Sequence, residues 1–559
     1  MKSFFQRFAD RTELFCRRHP WSAAAFILIF IVVVILLRAS ILRYQNYFGM
    51  YHDDGVYLVS AQSLSENHGY RIASLPGQPH QTKYPIGYPF LLSLALRLMP
   101  VFPANLPALE AMQVALSVAA ILGMVSYLEA TKKVTILLGL TIAAACLLNM
   151  RFIDFAPMLM SDLPSAVLLA ACMWSAEKQL RTKDSFKPWA GLLMAAAVTV
   201  RTQAIVLAPA LFCFYVFRKR WKTLIATFIV AFLFIAPQIW WQSHYSNSSP
   251  DFITFYTNYL KHAYITAPSL DASYQAMLGN FNWSVVLQIN TYFPGLEQIS
   301  YQLLSPIAFF LIYTLGYGLL VLPSSIGVLV KIRQASLPAL FCFFYAALLC
   351  CWPSKLEWRH ILPVMVLGYY FYFVGFRFLA SQIKRIAHTG RFFAGFCRVV
   401  SVTFCCYLIC GAGLLSCSKA GWMKSIAVPP PPVTATDFQQ AVSWVKENTP
   451  ANSVFVCNND PVFYLYTRRH AIMPSRLEVW RFTTDQYVDP KSLLEAIEYS
   501  HATYVMNEPA FRSMGYSYTQ LAQSIEALNR KTPGFLVPVF ESANKLVTVY
   551  KIEKSILKP

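Results

Sequence analysis

The chain has 559 residues, 56% of them hydrophobic and 13% charged, with a formal net charge of +20. A soluble globular protein carries roughly 25% charged residues, so composition excludes a soluble chain: most of these residues never meet water. Nor is the positive excess a nucleic-acid signature. Lys and Arg fall in short clusters between apolar runs, as in cytoplasmic loops, and no nucleic-acid-binding motif accompanies them.

Arg7, Arg11, Arg17 and Arg18 lead into the first apolar run, Trp21 to Leu37, which is uncharged and close to the roughly 20 residues that cross a bilayer. No small-residue cleavage site follows it, and Arg38 and Arg43 do, so it is expected to remain as an uncleaved first span. The positive-inside rule then places the N-terminus in the cytoplasm and residues 38–105 outside. Within that loop the run from Ile86 to Met99 is apolar but short, and it carries Arg97. Counting it as a span would put Lys132 and Lys133 outside, so it is expected to lie along the outer surface as an interfacial helix.

Further spans are expected from Leu106 to Leu128, Val134 to Met150, Leu163 to Ala176, Trp189 to Val200, Thr202 to Phe217, Leu224 to Trp241, Pro306 to Val330, Leu340 to Trp352, Ile361 to Leu379 and Val399 to Leu415. Every inward one ends on a basic cluster: Lys132 and Lys133; Lys178, Arg181, Lys183 and Lys187; Arg218, Lys219, Arg220 and Lys222; Lys331 and Arg333; Lys384, Arg385, Arg391 and Arg398. The fold class is thus a polytopic α-helical membrane protein of about eleven spans, with a second long outer loop at residues 242–302 and everything after the last span outside. Val428 to Val433 reads VPPPPV, a stiff spacer. It divides a membrane domain, residues 1–427, from a soluble domain, residues 428–559. In the latter, Thr436 and Gln439 form a capping-box pattern before a helix. Strand Ser453 to Cys457, helix Leu493 to Tyr499, strand Ala502 to Met506, helix Leu521 to Asn529, and strands Phe535 to Phe540 and Leu546 to Ile552 follow. That alternation predicts a small α/β domain, without a phosphate loop or a nucleophile elbow.

Polar residues read onto this topology gather on the outer face. Asp53 and Asp54 stand beyond the first span, with Tyr57 after them; Lys83 and Tyr84 stand at the entrance to the interfacial helix. Asp162 and Arg201 sit at the mouths of later spans, and Glu357, Arg359 and His360 at the start of a late one. Each has a plain structural role open to it: a loop Asp pair as a solvated turn, Asp162 as a helix cap ahead of Pro164, Arg or His as a headgroup anchor. Acids and bases from distant segments sharing one face weaken those roles, because ionisable groups at membrane depth are costly.

The run from Tyr51 to Leu94 resembles the first outer loop of membrane glycosyltransferases with the C-type fold, in the branch of the lipid A aminoarabinose transferase and relatives of protein O-mannosyltransferases. It has Asp53-Asp54, Tyr57, His68-Gly69-Tyr70, Lys83-Tyr84-Pro85 and Gly87-Tyr88-Pro89. Ser161-Asp162-Leu163-Pro164 is similar to that family's second acidic motif, and Trp358-Arg359-His360 with Pro363 to its Arg-Tyr…Pro element. The chain departs in having Asp-Asp for Asp-Glu, Lys-Tyr-Pro for Lys-Pro-Pro, and His360 for Tyr.

The resemblance implies transfer of a sugar from a polyprenyl-phosphate-linked donor (undecaprenyl phosphate in a bacterium) to a lipid, glycan or protein acceptor. Transfer would occur on the periplasmic face of the inner membrane, by inverting single displacement. Asp53 would be the base, shared or oriented by Asp54. Lys83 would hold the leaving phosphate, with Arg201 or Arg359 completing a cationic clamp. Asp162 would orient the acceptor or a divalent metal, the one cofactor left open; Tyr57, Tyr84, Glu357 and His360 would line the substrate. The expected partners are that donor, the acceptor and membrane lipids, and no nucleic acid. A lipid or sugar transporter is the alternative; it predicts ionisable residues inside the spans and inverted repeats, and the spans are nearly free of charge.

Overall fold

The structure is a computed structural model. It describes residues 48–49, 52–246, 253–258, 277–279, 288, 318, 321–352, 356–387, 434–474, 490–508 and 518–553. The expected first and last spans, the polyproline spacer and most of residues 242–302 lie outside these.

Two helices occupy the first outer loop: α1, Asp53–Ser65, and α2, Gly87–Leu98. The first is buried on every side, Ser60 and Ser63 included. The two pack along each other. The start of α2 abuts a bundle helix so closely that a Cβ on Gly87 would lie 2.6 Å from the Thr199 carbonyl oxygen. At its far end Arg97 donates to Asn67 and, just beyond, Phe102 packs on Tyr466 of the soluble domain. Both ends of α2 thus lie on the face that carries the soluble domain.

The bundle follows as α3 Leu106–Ala130, α4 Ile136–Leu147, the short α5 Met150–Phe155, α6 Asp162–Gln179, α7 Trp189–Val200, α8 Leu207–Phe217 and α9 Trp221–Ser246. A short α10, Thr254–Thr257, precedes α11 Leu322–Ile332, α12 Leu337–Cys350 and α13 Met365–Ala387. Helices α11 and α13 touch backbone to backbone, where a Cβ on Gly375 would collide with the Pro323 carbonyl oxygen; small residues permit such contact between helices surrounded by lipid. Among the described residues three helical stretches are long and apolar enough to cross a membrane: Leu106–Ala130, Trp221–Ser246 and Trp358–Gln382. Others are shorter, such as the 12 residues of α4 and of α7, which reach only about 18 Å at 1.5 Å per residue. Length and apolarity alone therefore mark three of the expected spans among the described residues.

The basic ends of these helices meet. Lys133, after α3, pairs with Glu177 near the end of α6 at 2.5 Å, and Arg181 donates to the Ala130 carbonyl. Arg220, after α8, donates to the Leu180 and Thr182 carbonyls, and Arg218 to that of Gln334 beyond α11. One end of the bundle is thus a cationic face.

The soluble domain begins with α14, Thr434–Asn448, so Thr436 lies inside the helix it was expected to cap. Five strands form one sheet in the order β2-β1-β3-β5-β4: β1 Val454–Val456, β2 His470–Ile472, β3 Tyr504–Asn507, β4 Leu536–Glu541 and β5 Thr548–Ile552. Strand β1 runs parallel to β2 and β3, while β5 is antiparallel to β3 and β4. Helix α15, Asp460–Thr467, joins β1 to β2; α16, Pro490–Ser500, and α17, Tyr518–Lys531, complete the layer. The α/β domain is as the sequence predicts except for α15 and β2, which no periodic signal announces. These two elements dock on the first outer loop. Ala471 N–H donates to the Ser74 carbonyl at 2.9 Å, and Asn459 Nδ2 to that of Gly49 at 2.8 Å.

Candidate functional site

Asp53 is the first residue of α1. Its Oδ1 accepts from the Tyr84 hydroxyl at 2.5 Å, and its Oδ2 from Arg359 Nη1 at 3.1 Å. Arg359 turns its Nε to Glu357 Oε2 at 2.7 Å. The Lys83 ammonium stands 5.0 Å from the centre of the Tyr84 ring. Burial alone would raise the Asp53 carboxyl, but Arg359, Lys83 and the Tyr84 hydrogen bond outweigh it and hold it down to about 2. The Lys83 ammonium goes the other way: burial lowers it, Asp53 opposes and Arg359 reinforces, and it loses its proton near about 8.

The loop that carries Lys83 is fixed from below. Buried Gln81 accepts from the backbone N–H groups of Lys83 and Tyr84 through Oε1, at 3.0 and 3.3 Å, and donates to Ser60. The far end of α9 clamps the same loop: Trp241 Nε1 donates to the Gln81 carbonyl, Gln242 Nε2 to that of Thr82, and Gln238 Oε1 accepts from Ile86 N–H. A 26-residue helix thus ends on the lysine's loop.

A second ion pair lies alongside. Asp162, at the start of α6, is fully buried and pairs through Oδ2 with Arg201 Nη1 at 2.8 Å. Arg201 also donates to Ser161 Oγ and Gln203 Oε1. The Tyr57 hydroxyl meets Ser161 Oγ at 2.9 Å, and its ring packs on that of Tyr84, centroids 4.7 Å apart. A continuous path of contacts therefore runs from Asp53 through Tyr84, Tyr57 and Ser161 to Arg201 and Asp162. Glu357 feels the charges of Asp53, Asp162 and Arg201 as well as Arg359. Residues from α1, the Lys83 loop, α6, the end of α7 and the turn before α13 share one bowl, at the end of the bundle opposite the cationic face.

Two residues are placed elsewhere. Asp54 turns inward and accepts from the N–H groups of Gly49 and Gly55, at 3.0 and 2.8 Å. Neighbours on a helix point about 100° apart, so Asp54 faces the Gly49 turn while Asp53 faces Arg359 and Tyr84. The His360 ring is buried in its own turn, where Nδ1 accepts from Glu357 N–H at 3.1 Å. Gln203, Gln81 and the end of α9 were not singled out by sequence, and Ser161 entered only as a member of the Ser161-Asp162 motif. They are neutral and sit in a loop or at helix ends, where such side chains are commonplace.

Among the described residues no three His, Cys, Asp or Glu side chains gather to hold a metal ion. Asp53 and Asp162 each already hold a guanidinium, so a divalent cation would have to compete with two fixed positive charges. At Asp162, Oδ2 is taken by Arg201 while Oδ1 is buried without a hydrogen-bond partner, and no step below runs through a metal.

No family model and no curated protein matches the chain in sequence. Solved structures do match in fold. ArnT from Cupriavidus metallidurans bound to undecaprenyl phosphate superimposes with a TM-score of 0.53 at 12% identity, over 95% of this chain and 99% of that one. The Archaeoglobus fulgidus oligosaccharyltransferase tethered with an acceptor peptide gives 0.51 at 12% identity, over 94% of this chain and 74% of that one. AglB from the same organism, in complex with an inhibitory peptide and a dolichol-phosphate, gives 0.50 at 12% identity, over 94% of this chain and 74% of that one. The chain has the C-type fold of membrane glycosyltransferases.

Proposed function

We propose that the chain transfers a sugar from a polyprenyl-phosphate-linked donor to an acceptor hydroxyl or amine at the periplasmic face of a bacterial inner membrane. The carrying observation is one carboxylate, Asp53, held by an arginine and a tyrosine with a lysine alongside, on a fold shared with ArnT and AglB. Asp53, Lys83 and Tyr84 come from the first outer loop, where a lipid-linked donor can keep its tail in the bilayer and present phosphate and sugar to water. About eleven spans, a cytoplasmic N-terminus and an outer soluble domain at residues 428–559 belong to the same proposal.

In the mechanism, the acceptor oxygen or nitrogen attacks the anomeric carbon. The bond from that carbon to the phosphate oxygen breaks, its electron pair stays on phosphate, and the acceptor proton passes to Asp53; the configuration inverts. The Lys83 ammonium stabilises the charge growing on the leaving phosphate. Arg359 bridges Asp53 and Glu357 in the free protein. An arriving phosphate competes for that guanidinium, and as Arg359 turns to it Asp53 loses its strongest positive neighbour and becomes a better base. Arg201 and Asp162 form the neutralised wall of the bowl, against which the acceptor is oriented.

The test is mass spectrometry of envelope glycolipids and glycans from a strain lacking the gene. One glycosylated species should vanish and a polyprenyl-phosphate sugar accumulate. The wild-type gene should restore both, and Asp53→Asn neither, with transfer down on the order of 10²-fold or more. An unchanged profile overturns the reading, and full rescue by Asp53→Asn removes Asp53 as base.

A further inference from the structure

Asp460 opens α15 in the soluble domain and is fully buried. Its Oδ1 lies 2.9 Å from His52 Nε2 and accepts from the Tyr256 hydroxyl at 2.8 Å, while its Oδ2 accepts from Ser74 Oγ at 3.3 Å. His52, Ser74 and Tyr256 are themselves almost entirely buried. Three separate pieces of the membrane domain thus converge on one carboxylate from the soluble domain: the residue before Asp53, the middle of the first outer loop, and α10 of the second.

The geometry at His52 shows what this contact does. His52 has φ +56°, a backbone conformation that a β-carbon-bearing residue seldom adopts. Such a conformation persists only where its surroundings over-determine it. Here the ring is pinned by Asp460 and packs on the Tyr256 ring, centroids 5.8 Å apart. Asp53 follows directly, so the direction of its side chain depends on the turn at His52. The next contact reinforces this: Gly55 sits so close to Pro461 that a Cβ there would lie 3.0 Å from the proline ring.

We infer that Asp460 is a positioning residue for the base: the soluble domain completes the catalytic centre by fixing His52, and through it Asp53, against Arg359 and Tyr84. This rests on the reading of Asp53 as base. The residue acts through His52 and touches neither donor nor acceptor.

The test uses the full-length protein in detergent, with membranes of the deletion strain supplying accumulated donor and acceptor and their lipid extract as the added donor. Asp460→Asn keeps size and one acceptor oxygen. A misplacement of the order of 1 Å lowers rate about 10²-fold, so turnover should fall by that order while half-saturation by the extract and binding of undecaprenyl phosphate stay within about twofold. Tyr256→Phe, which keeps the Asp460 carboxyl and deletes the hydroxyl's bond to it together with the one from Met473 N–H, should lower turnover about 3- to 10-fold without loss of folded protein. The distinguishing readout is the pH profile. In kcat/KM, which reports the free enzyme, wild type should show no acid limb from Asp53. In Asp460→Asn, Asp53 drifts from Arg359 and Tyr84 and titrates as an ordinary carboxylate near about 4, so an acid limb should appear. Wild-type turnover in both variants, a rate loss no larger than the loss of folded protein, or an unchanged acid side overturns the inference. An active Asp53→Asn protein instead overturns the function reading, whatever Asp460 does.

Discussion

At the scale of residues, the site works by unequal treatment of like groups. Asp53 and Asp54 are adjacent in sequence, yet one faces Arg359, Tyr84 and Lys83 while the other accepts two backbone N–H groups. Asp54→Asn keeps one acceptor oxygen of two. It should therefore cost about 1 kcal/mol of stability and leave turnover per folded molecule near wild type, checked by thermal melting beside the transfer assay; a catalytic-sized loss would restore Asp54 to the chemistry. The sequence brought the right residue types to one face because charge clusters and helix ends can be read from it. It could not assign partners, because a pairing such as Arg201 with Asp162 depends on side-chain directions between the end of one helix and the start of another.

Lys83 gives a prediction with a definite sign. Burial lowers its ammonium to about 8, so the group is charged below that pH and neutral above it. Since kcat/KM reports the free enzyme, it should fall about tenfold per pH unit above about 8. The negative phosphate raises the lysine once the donor is bound, so kcat should fall only at higher pH. Lys83→Ala should lose about 1.5–3 kcal/mol of donor interaction and the alkaline limb with it. An alkaline limb that survives in Lys83→Ala belongs to another group.

At the scale of elements, close approach matters more than apolar content. Helix α2 begins where Gly87 meets the Thr199 carbonyl, and α9 ends where its Trp241 and Gln242 hold the loop before Gly87. The Lys83 loop is thereby held at both sides. Gly87→Ala would put a methyl 2.6 Å from a backbone oxygen; such overpacking costs about 1–3 kcal/mol, and the melting temperature should drop while donor use weakens. An unchanged melting temperature would separate α2 from α7. The apolar runs of the bundle were legible because composition marks them, and their ends were marked by basic clusters. Helix α15 and β2 were not. Eight and three residues are too few for a period to emerge, and β2 reads as a strand only once β1 is beside it.

At the scale of the whole molecule, polarity is set by where charges end up. Helix α6 carries Asp162 at one end and Glu177, Lys133's partner, near the other, about 22 Å apart along the helix axis, most of the roughly 30 Å hydrocarbon thickness of a bilayer. The ends of α3, α6, α8 and α11 meet at the cationic face, while the soluble domain and both ends of α2 lie with the bowl of paired charges. The positive-inside rule then orients the whole body from one face. Impermeant thiol labelling tests this against the parent protein as background. In intact cells with a permeable outer membrane, Lys545→Cys in the soluble domain should react, and Lys132→Cys at the end of α3 should react only after the inner membrane is opened. Because Lys132 and Asp162 belong to opposite ends of one packed bundle, a single label decides both. Labelling of Lys132→Cys from outside would mean that the body is inverted, that the bowl faces the cytoplasm, and that the donor must be presented from the other leaflet.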